Sequence, residues 1–206
     1  MAVEEPRFEV VSKEGDFEIR QYRPFIIAET YVDGDLSEAS GKGFRLIADY
    51  IFGNNESAKG AADETSKKIA MTAPVTVEPV ATSAKIAMTA PVTIEPQIEK
   101  TEKIAQTKRW KVHFVMPAEY SMATLPKPKN PAVSLHEVPE KLQAVLVFSG
   151  FASEALVQEK TDELLAWLST KQIMPIATPQ LARYNPPWTL PFLRRNEILV
   201  EIVKQP

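Results

Sequence analysis

The sequence predicts an α+β protein, a partly closed antiparallel sheet with two helices packed on it. Two observations carry that reading. The order strand, proline turn, strand, helix occurs twice, over Phe17–Ile51 and over Val133–Leu168, at similar lengths. The other apolar segments are short and alternate with polar residues, which is the pattern of half-buried strands rather than helices. The recurrence suggests a duplicated strand–strand–helix unit related by a pseudo-two-fold axis.

Taken in order, residues 1–7 read as an N-terminal tail and residues 8–206 as a single domain. Phe8 to Val11, Phe17 to Tyr22 and Phe25 to Val32 are apolar and aromatic runs separated by Glu14-Gly15-Asp16 and by Arg23-Pro24, and read as three strands. Asp33-Gly34-Asp35 turns the chain into a helix. Asp35 is its cap and Glu38, three residues on, completes a capping box. Leu36, Ala39, Gly43, Ile47, Tyr50 and Ile51 share one face of this helix, and Gly53 suits its end.

Asn54 to Ser66 is small, polar and charged, and reads as a loop. Trp110, Val112, Phe114 and Met116 alternate with Lys111, His113 and Val115 in a strand with one clearly buried face. Tyr120 to Pro131 is a proline-rich excursion. Val133 to Val138 and Gln143 to Ser149 read as two more strands. Ser153 caps a second helix with Val157, Thr161, Leu164, Leu165 and Leu168 inward. Ile173 to Tyr184 is extended, and Ile198 to Val203 is a closing strand.

One phrase occurs twice. Lys68–Pro79 reads KIAMTAPVTVEP and Lys85–Pro96 reads KIAMTAPVTIEP, 17 residues later, differing only at Val77 against Ile94. Two copies make a local duplication at 68–96, not a repeat array, which needs at least three units. The second copy has the shorter connection to Trp110 and is expected to be the strand in the sheet. The first is expected to pair along it or bulge as a hairpin around Pro79 to Ala84.

Composition narrows the function. The formal charge is −3 over 206 residues with no basic stripe, which argues against a nucleic-acid partner. The absence of cysteine excludes disulfides, thiolate catalysis and zinc–sulfur sites. No run of 18 apolar residues offers a membrane span, and the acidic start lacks the apolar core of a secretory signal, so the expected location is cytoplasmic. HExxH, GxSxG, P-loop and dinucleotide fingerprints are all missing, so no enzymatic activity is expected.

Five stretches in order give a resemblance. They are Phe17-Glu18-Ile19-Arg20-Gln21-Tyr22, the KIAMTAPV phrase, Trp110 to Pro117, Ala182 to Trp188, and Arg194-Arg195-Asn196-Glu197-Ile198. Together they resemble the SOUL heme-binding protein family. The resemblance implies a distorted antiparallel β-barrel with two flanking helices. It also implies non-catalytic binding of heme or another porphyrin, here weak and reversible, in a carrier or buffer role.

A tetrapyrrole needs an apolar slot, donors for two propionates and optionally an axial ligand. Apolar candidates are Leu46, Ile47 and Tyr50 on the first helix, and Tyr184, Trp188 and Phe192 around the proline-rich loop. Helix residues of this kind are also ordinary core, and the loop aromatics are either a lid or plain packing. Propionate candidates are Lys42, Arg45, Arg194 and Arg195, guanidinium being suited to bidentate contact with carboxylate. Alternatively, one of the two adjacent arginines pairs with Glu197.

For the iron, some family members carry a His after the Ile-Arg pair where this chain has Gln21. His113 and His136 remain as weak candidates. His113 is expected on the solvent side of its strand or in a hydrogen bond, and His136 in a cross-strand contact. Met71 and Met88 read as core. Two other readings stay open: a GyrI-like effector-binding module for other hydrophobic small molecules, in which Glu29 or Glu201 would matter, and a ligand-free scaffold whose cleft its own side chains fill.

Overall fold

The computed structural model describes residues 4–57, 66–80, 104, 107–186 and 188–203. Eleven strands and two α-helices follow in the order β1 (Phe8–Glu14), β2 (Phe17–Tyr22), β3 (Phe25–Asp33), α1 (Leu36–Ile51), β4 (Asn55–Glu56), β5 (Val75–Pro79), β6 (Arg109–Val115), β7 (Lys127–Pro128), β8 (Ser134–Val138), β9 (Lys141–Phe148), α2 (Glu154–Thr170), β10 (Gln180–Arg183) and β11 (Asn196–Glu201). Nine strands form one antiparallel sheet in the order β1-β2-β9-β11-β10-β5-β6-β3-β8, and β4 pairs with β7 apart from it.

The strand order is symmetric about the β10/β5 boundary. The series β2-β3-α1-β5-β6 is matched by β8-β9-α2-β10-β11, and in each series the first strand crosses to the other half of the sheet. This crossing forces closure. β2 and β3 lie six places apart in the sheet, as do β9 and β8. Flat, six strand spacings would span about 29 Å. Yet Arg23-Pro24 alone joins β2 to β3, and three Cα steps reach at most about 11 Å. The sheet must therefore curl until its two ends meet. The Tyr22 and Phe25 rings, 6.4 Å apart, mark the seam.

The helices pack on the outside of the curl. The expected stripe of α1 is buried as a set, and the Asp35 carboxylate accepts the Glu38 N–H at 2.8 Å. Gly43 is required by close approach: a Cβ there would sit 2.5 Å from the Val112 side chain on β6. The Trp110 indole N–H donates to the Gly34 carbonyl at 3.0 Å, fixing the turn that enters α1. Helix α2 is capped by Ser153 and buries Val157, Thr161, Leu164 and Leu168, while Trp167 stacks on Phe17 at 4.9 Å. The main core lies between these helices and the sheet.

Two expectations need correction. The stretch read as a tail is pinned: the Glu4 carbonyl accepts from Ala73, its carboxylate accepts from Ala118, and Glu5 pairs with Arg195. The first copy of the phrase, not the second, fills the sheet, with β5 paired to β6 on one side and β10 on the other. The chain ahead of the phrase explains the choice: the Asn55 side chain, just past α1, donates to the Lys67 carbonyl at 2.7 Å and accepts from the Lys67 N–H at 3.0 Å. Ile69 is buried with its N–H on the Ile51 carbonyl, and the Thr72 hydroxyl bonds the Val115 carbonyl. Ile86 and Thr89 of the second copy match these two residues, so it is the link from Asn55 to Lys67 that delivers the first copy to the slot. The second copy and Ala81 to Ala84 of the expected hairpin lie outside the described residues.

Occupancy of this slot is testable at equivalent positions. Val77 is 1% exposed. Ile94→Asp alone should leave thermal unfolding unchanged, whereas Val77→Asp should lower the midpoint by roughly 10 °C, the effect of a few kcal/mol of buried charge. Equal losses in the two variants would show that both copies share the slot.

Candidate functional site

Closure makes the face opposite the helices an interior, and the sequence places charge there. Arg20 (2% exposed) forks onto the carboxylate of fully buried Glu197 at 3.0 and 3.1 Å, and its Nε donates to Glu18 at 2.7 Å. Glu197 also accepts from the Tyr184 hydroxyl at 2.6 Å and from Arg195 Nε and Nη2 at 2.9 and 2.8 Å. Arg195 lies over the Tyr184 ring at 3.9 Å and reaches Glu5, and Arg20 lies over Phe8 at 4.4 Å.

Burial opposes the charge on Arg20, but the Glu197 carboxylate outweighs it and holds the guanidinium above its ordinary value. Burial pushes Tyr22 up to about 12. These residues belong to three of the five stretches that carried the family resemblance. Their chemistry here is mutual neutralisation inside the curl, which occupies Tyr184 and Arg195 with each other and with Glu197. The signal in sequence is Glu18-Arg20-Tyr22 at alternate positions, which reads as a polar outer face until the curl is known.

The same interior holds His113. Its position opposite Trp110 and Phe114 is as expected, but that side is not solvent. His113 is 7% exposed, its Nδ1 is buried without a hydrogen-bond partner, and burial, with Lys111 and Lys141 nearby, pushes its pKa down to about 3. Lys111 sits above its usual value because the Glu78 carboxylate, at 2.7 Å, outweighs the burial that would lower it. His136 makes the expected cross-strand contact, Nε2 lying 3.1 Å from Glu29 on β3. Glu29 is buried and Glu201 is partly buried. Among the described residues no cluster of three or more His, Asp or Glu could hold a metal.

On the helix side two spaces differ sharply. Between the first turns of α1 and α2, Leu36, Trp110, Val157, Gln158 and Ile104 close the centre down to a cavity of about 20 Å³, room for about one water. The Ile104 N–H donates to the Gln158 side-chain carbonyl at 3.0 Å, which fixes this plug. The second space is an open groove of about 570 Å³ along the outer side of α1, lined by Val32, Asp33, Lys42, Arg45, Leu46 and Asp49. Its apolar floor is Val32 and Leu46. Lys42 donates to the Asp33 carbonyl at 3.1 Å and lies 3.4 Å from Glu38. Arg45 has no ion-pair partner within 4 Å among the described residues.

The sequence-derived candidates therefore separate. Lys42, Arg45 and Leu46 meet in the groove. Ile47 and Tyr50 are core: they are 0% and 1% exposed, and the Tyr50 hydroxyl donates to the Pro126 carbonyl at 2.7 Å. Trp188, Phe192 and Arg194 lie on the β10–β11 connection and do not line the groove. Met71, read as core, is 40% exposed because Ile69 and Thr72 take the inward positions. Ile104 and Asp49 were missed; neither is marked by its sequence neighbours.

The family model of the SOUL heme-binding protein matches residues 3–201, nearly the whole chain. The chain belongs to the SOUL family. Solved structures of similar fold include the EcmrR C-terminal domain (13% identity, TM-score 0.58, covering 92% of this chain and 98% of that one). Two proteins from Listeria innocua are also similar. One is described as a hydrolase (10% identity, TM-score 0.52, 94% of each chain) and one as an uncharacterized conserved protein (9%, 0.57, 91% of this chain and 92% of that one). Identities this low establish shared architecture, of the GyrI-like kind. No curated protein matched the chain.

Two predictions follow from the interior. Glu197→Gln leaves Arg20 and Arg195 short of a counter-charge and should cost about 3–5 kcal/mol in urea unfolding. A loss below about 1 kcal/mol would show that the network is solvated. His113 stays neutral in the folded chain down to about pH 3, whereas the unfolded imidazole takes up a proton near 6.5. Over that window the unfolded state binds more protons, so stability falls as pH falls, by up to about 1.4 kcal/mol per unit. His113→Gln should flatten that slope, and an unchanged slope would remove His113 as its source.

Proposed function

We propose that this SOUL-family chain binds heme or a related tetrapyrrole reversibly and without catalysis, in the groove beside α1, as a carrier or buffer. The open groove with Leu46 and Val32 as floor and Arg45 at its rim is the observation that carries the reading. Its volume falls in the range of about 300–1,000 Å³ typical of small-molecule sites, whereas the interhelical cavity is far below it. Arg45 suits a propionate because its planar fork binds carboxylate at two points. Lys42 is already engaged and supplies field rather than a new contact. Asp33 and Asp49 repel a second carboxylate, which favours binding with one propionate turned toward solvent.

The groove fits the macrocycle and one propionate but not the iron. None of its six lining residues is a His, Met or Tyr, and the side chains of His113 and His136 lie on the other side of the sheet. The binding energy is therefore expected from apolar contact and one ion pair, with iron left to solvent or an exogenous ligand. The closed centre between the helices favours the scaffold reading for that cavity alone.

Titration with hemin and with metal-free protoporphyrin IX tests this. The two should bind within about tenfold of each other, and Arg45→Glu and Leu46→Asp should each weaken both by roughly tenfold or more, equivalent to about 1.4 kcal/mol. Hemin binding far more tightly than protoporphyrin, with a low-spin Soret band lost on substituting His136, would overturn the proposal. Binding of neither would support the scaffold.

A further inference from the structure

The N-terminal segment places a carboxylate on the outer side of the buried network. Arg195 turns Nε and Nη2 inward to Glu197 and Nη1 outward, where it donates to both oxygens of Glu5 at 3.1 and 3.0 Å. Glu197 is fully buried, whereas the side chains of Arg195 and Glu5 are 35% and 36% exposed. The guanidinium also lies over the Tyr184 ring at 3.9 Å, and the Arg195 backbone N–H donates to the Asn185 side chain at 2.7 Å. Arg195 is thus fixed from within and presents one donor group at the surface.

The network requires an anion at that point, but not Glu5 in particular. Lys13, Arg20 and Arg195 are set against Glu18, Glu197 and Glu5, three charges of each sign linked by ion pairs. Without the Glu5 carboxylate one positive charge is in excess, and it falls on a guanidinium partly out of water. Burial opposes the charge on Arg195; Glu197 outweighs it, with Tyr184 and Glu5 adding the smaller shares. An ion pair as exposed as that with Glu5 is weak and exchangeable.

The Glu5 side chain can leave without the segment leaving. On one side of it, the Glu4 carbonyl accepts from the Ala73 N–H at 2.9 Å and the Glu4 carboxylate accepts from the Ala118 N–H at 3.0 Å. On the other, the Arg7 carbonyl accepts from the Arg23 N–H at 3.0 Å. Pro6, between these ties, has no N–H to satisfy. Among the described residues Arg195 is the one polar partner of the Glu5 side chain. Rotation of that side chain uncovers Nη1 while the backbone stays tied.

We infer that Arg195 Nη1 is a binding site for the carboxylate of a small molecule, and that Glu5 occupies it as a built-in pseudo-ligand which the external carboxylate displaces. The ligand class follows from the occupant: a carboxylate already accepts two charge-assisted hydrogen bonds from this group. Glu5 sets a threshold, because an external carboxylate binds only the fraction of molecules in which the side chain has swung away, and its apparent affinity is reduced by that fraction. The site shares no residue with the groove beside α1, so it stands or falls apart from tetrapyrrole binding there.

Titration of the full chain with benzoate, followed by NMR at the Arg195 Nε–H, tests this. Excess benzoate should move that signal in the unsubstituted chain, and Glu5→Gln should bind benzoate roughly tenfold or more tightly. Glu5→Ala should reproduce the gain. Benzyl alcohol, which has the ring without the charge, should leave the signal in place. Equal affinity with and without the Glu5 carboxylate, a response to benzyl alcohol equal to that to benzoate, or shifts confined to the amides of Lys42 to Asp49 would each overturn the inference.

Discussion

The structure depends on a carboxylate that sees no water. Glu197 is enclosed because two-residue links join strands six places apart, and a sheet so connected has an inside whether or not its side chains suit one. Strand alternation then puts Glu18, Arg20, Tyr22, His113 and Glu197 into that space. Isolated charge there would be costly, so the residues that surround Glu197 are fixed by need of each other. Buried pairs of this kind are not strong sources of net stability. Their consequence is geometric: Arg20 on β2, Tyr184 at the end of β10 and Arg195 beside β11 can satisfy one carboxylate only when the curl and the strand register are correct.

That constraint divides the molecule into a charged inside and an apolar outside. The inside is occupied by its own polar groups, and its histidine is held neutral by burial rather than by a ligand. The outside carries both helices, a central cleft reduced to one water's worth of space by Ile104, and the open groove beside α1. The proposed ligand site thus lies away from the residues that identify the family, on the flank of one helix. The aromatic loop at the β10–β11 connection is separate again, with a different surface chemistry.

Much of this was legible in the sequence. The α1 stripe, its Asp35 cap, the Ser153 cap and the alternation from Trp110 to Phe114 follow from local periodicity, and the structure keeps them. What was not legible depends on closure. His113 was assigned correctly to the face opposite Trp110, but whether that face is wet is a property of six intervening strands. The pairing of one of the two adjacent arginines with Glu197 was legible, and Arg195 makes it. Tyr184, read as an apolar ligand contact, and Arg20, 177 residues from Glu197, carry no local mark of joining them. Ile47 and Tyr50 share a helix with Leu46, and a turn of a third decides which line a groove and which fill a core. The two phrases, alike but for Val77 and Ile94, could not be ranked by their own residues. The Asn55 side chain, which grips the Lys67 backbone one residue ahead of the first copy, ranks them.

The central claim is that ligand binds outside the curl, on α1, and not within it. Paramagnetic broadening by hemin in amide NMR spectra tests it most directly. The account predicts loss of signal for Lys42 to Asp49 and for Val32 and Asp33, with His113, Glu197 and Arg20 undisturbed. Broadening centred on β2, β6 and β11, or on Leu36, Val157 and Gln158 between the helices, would contradict it.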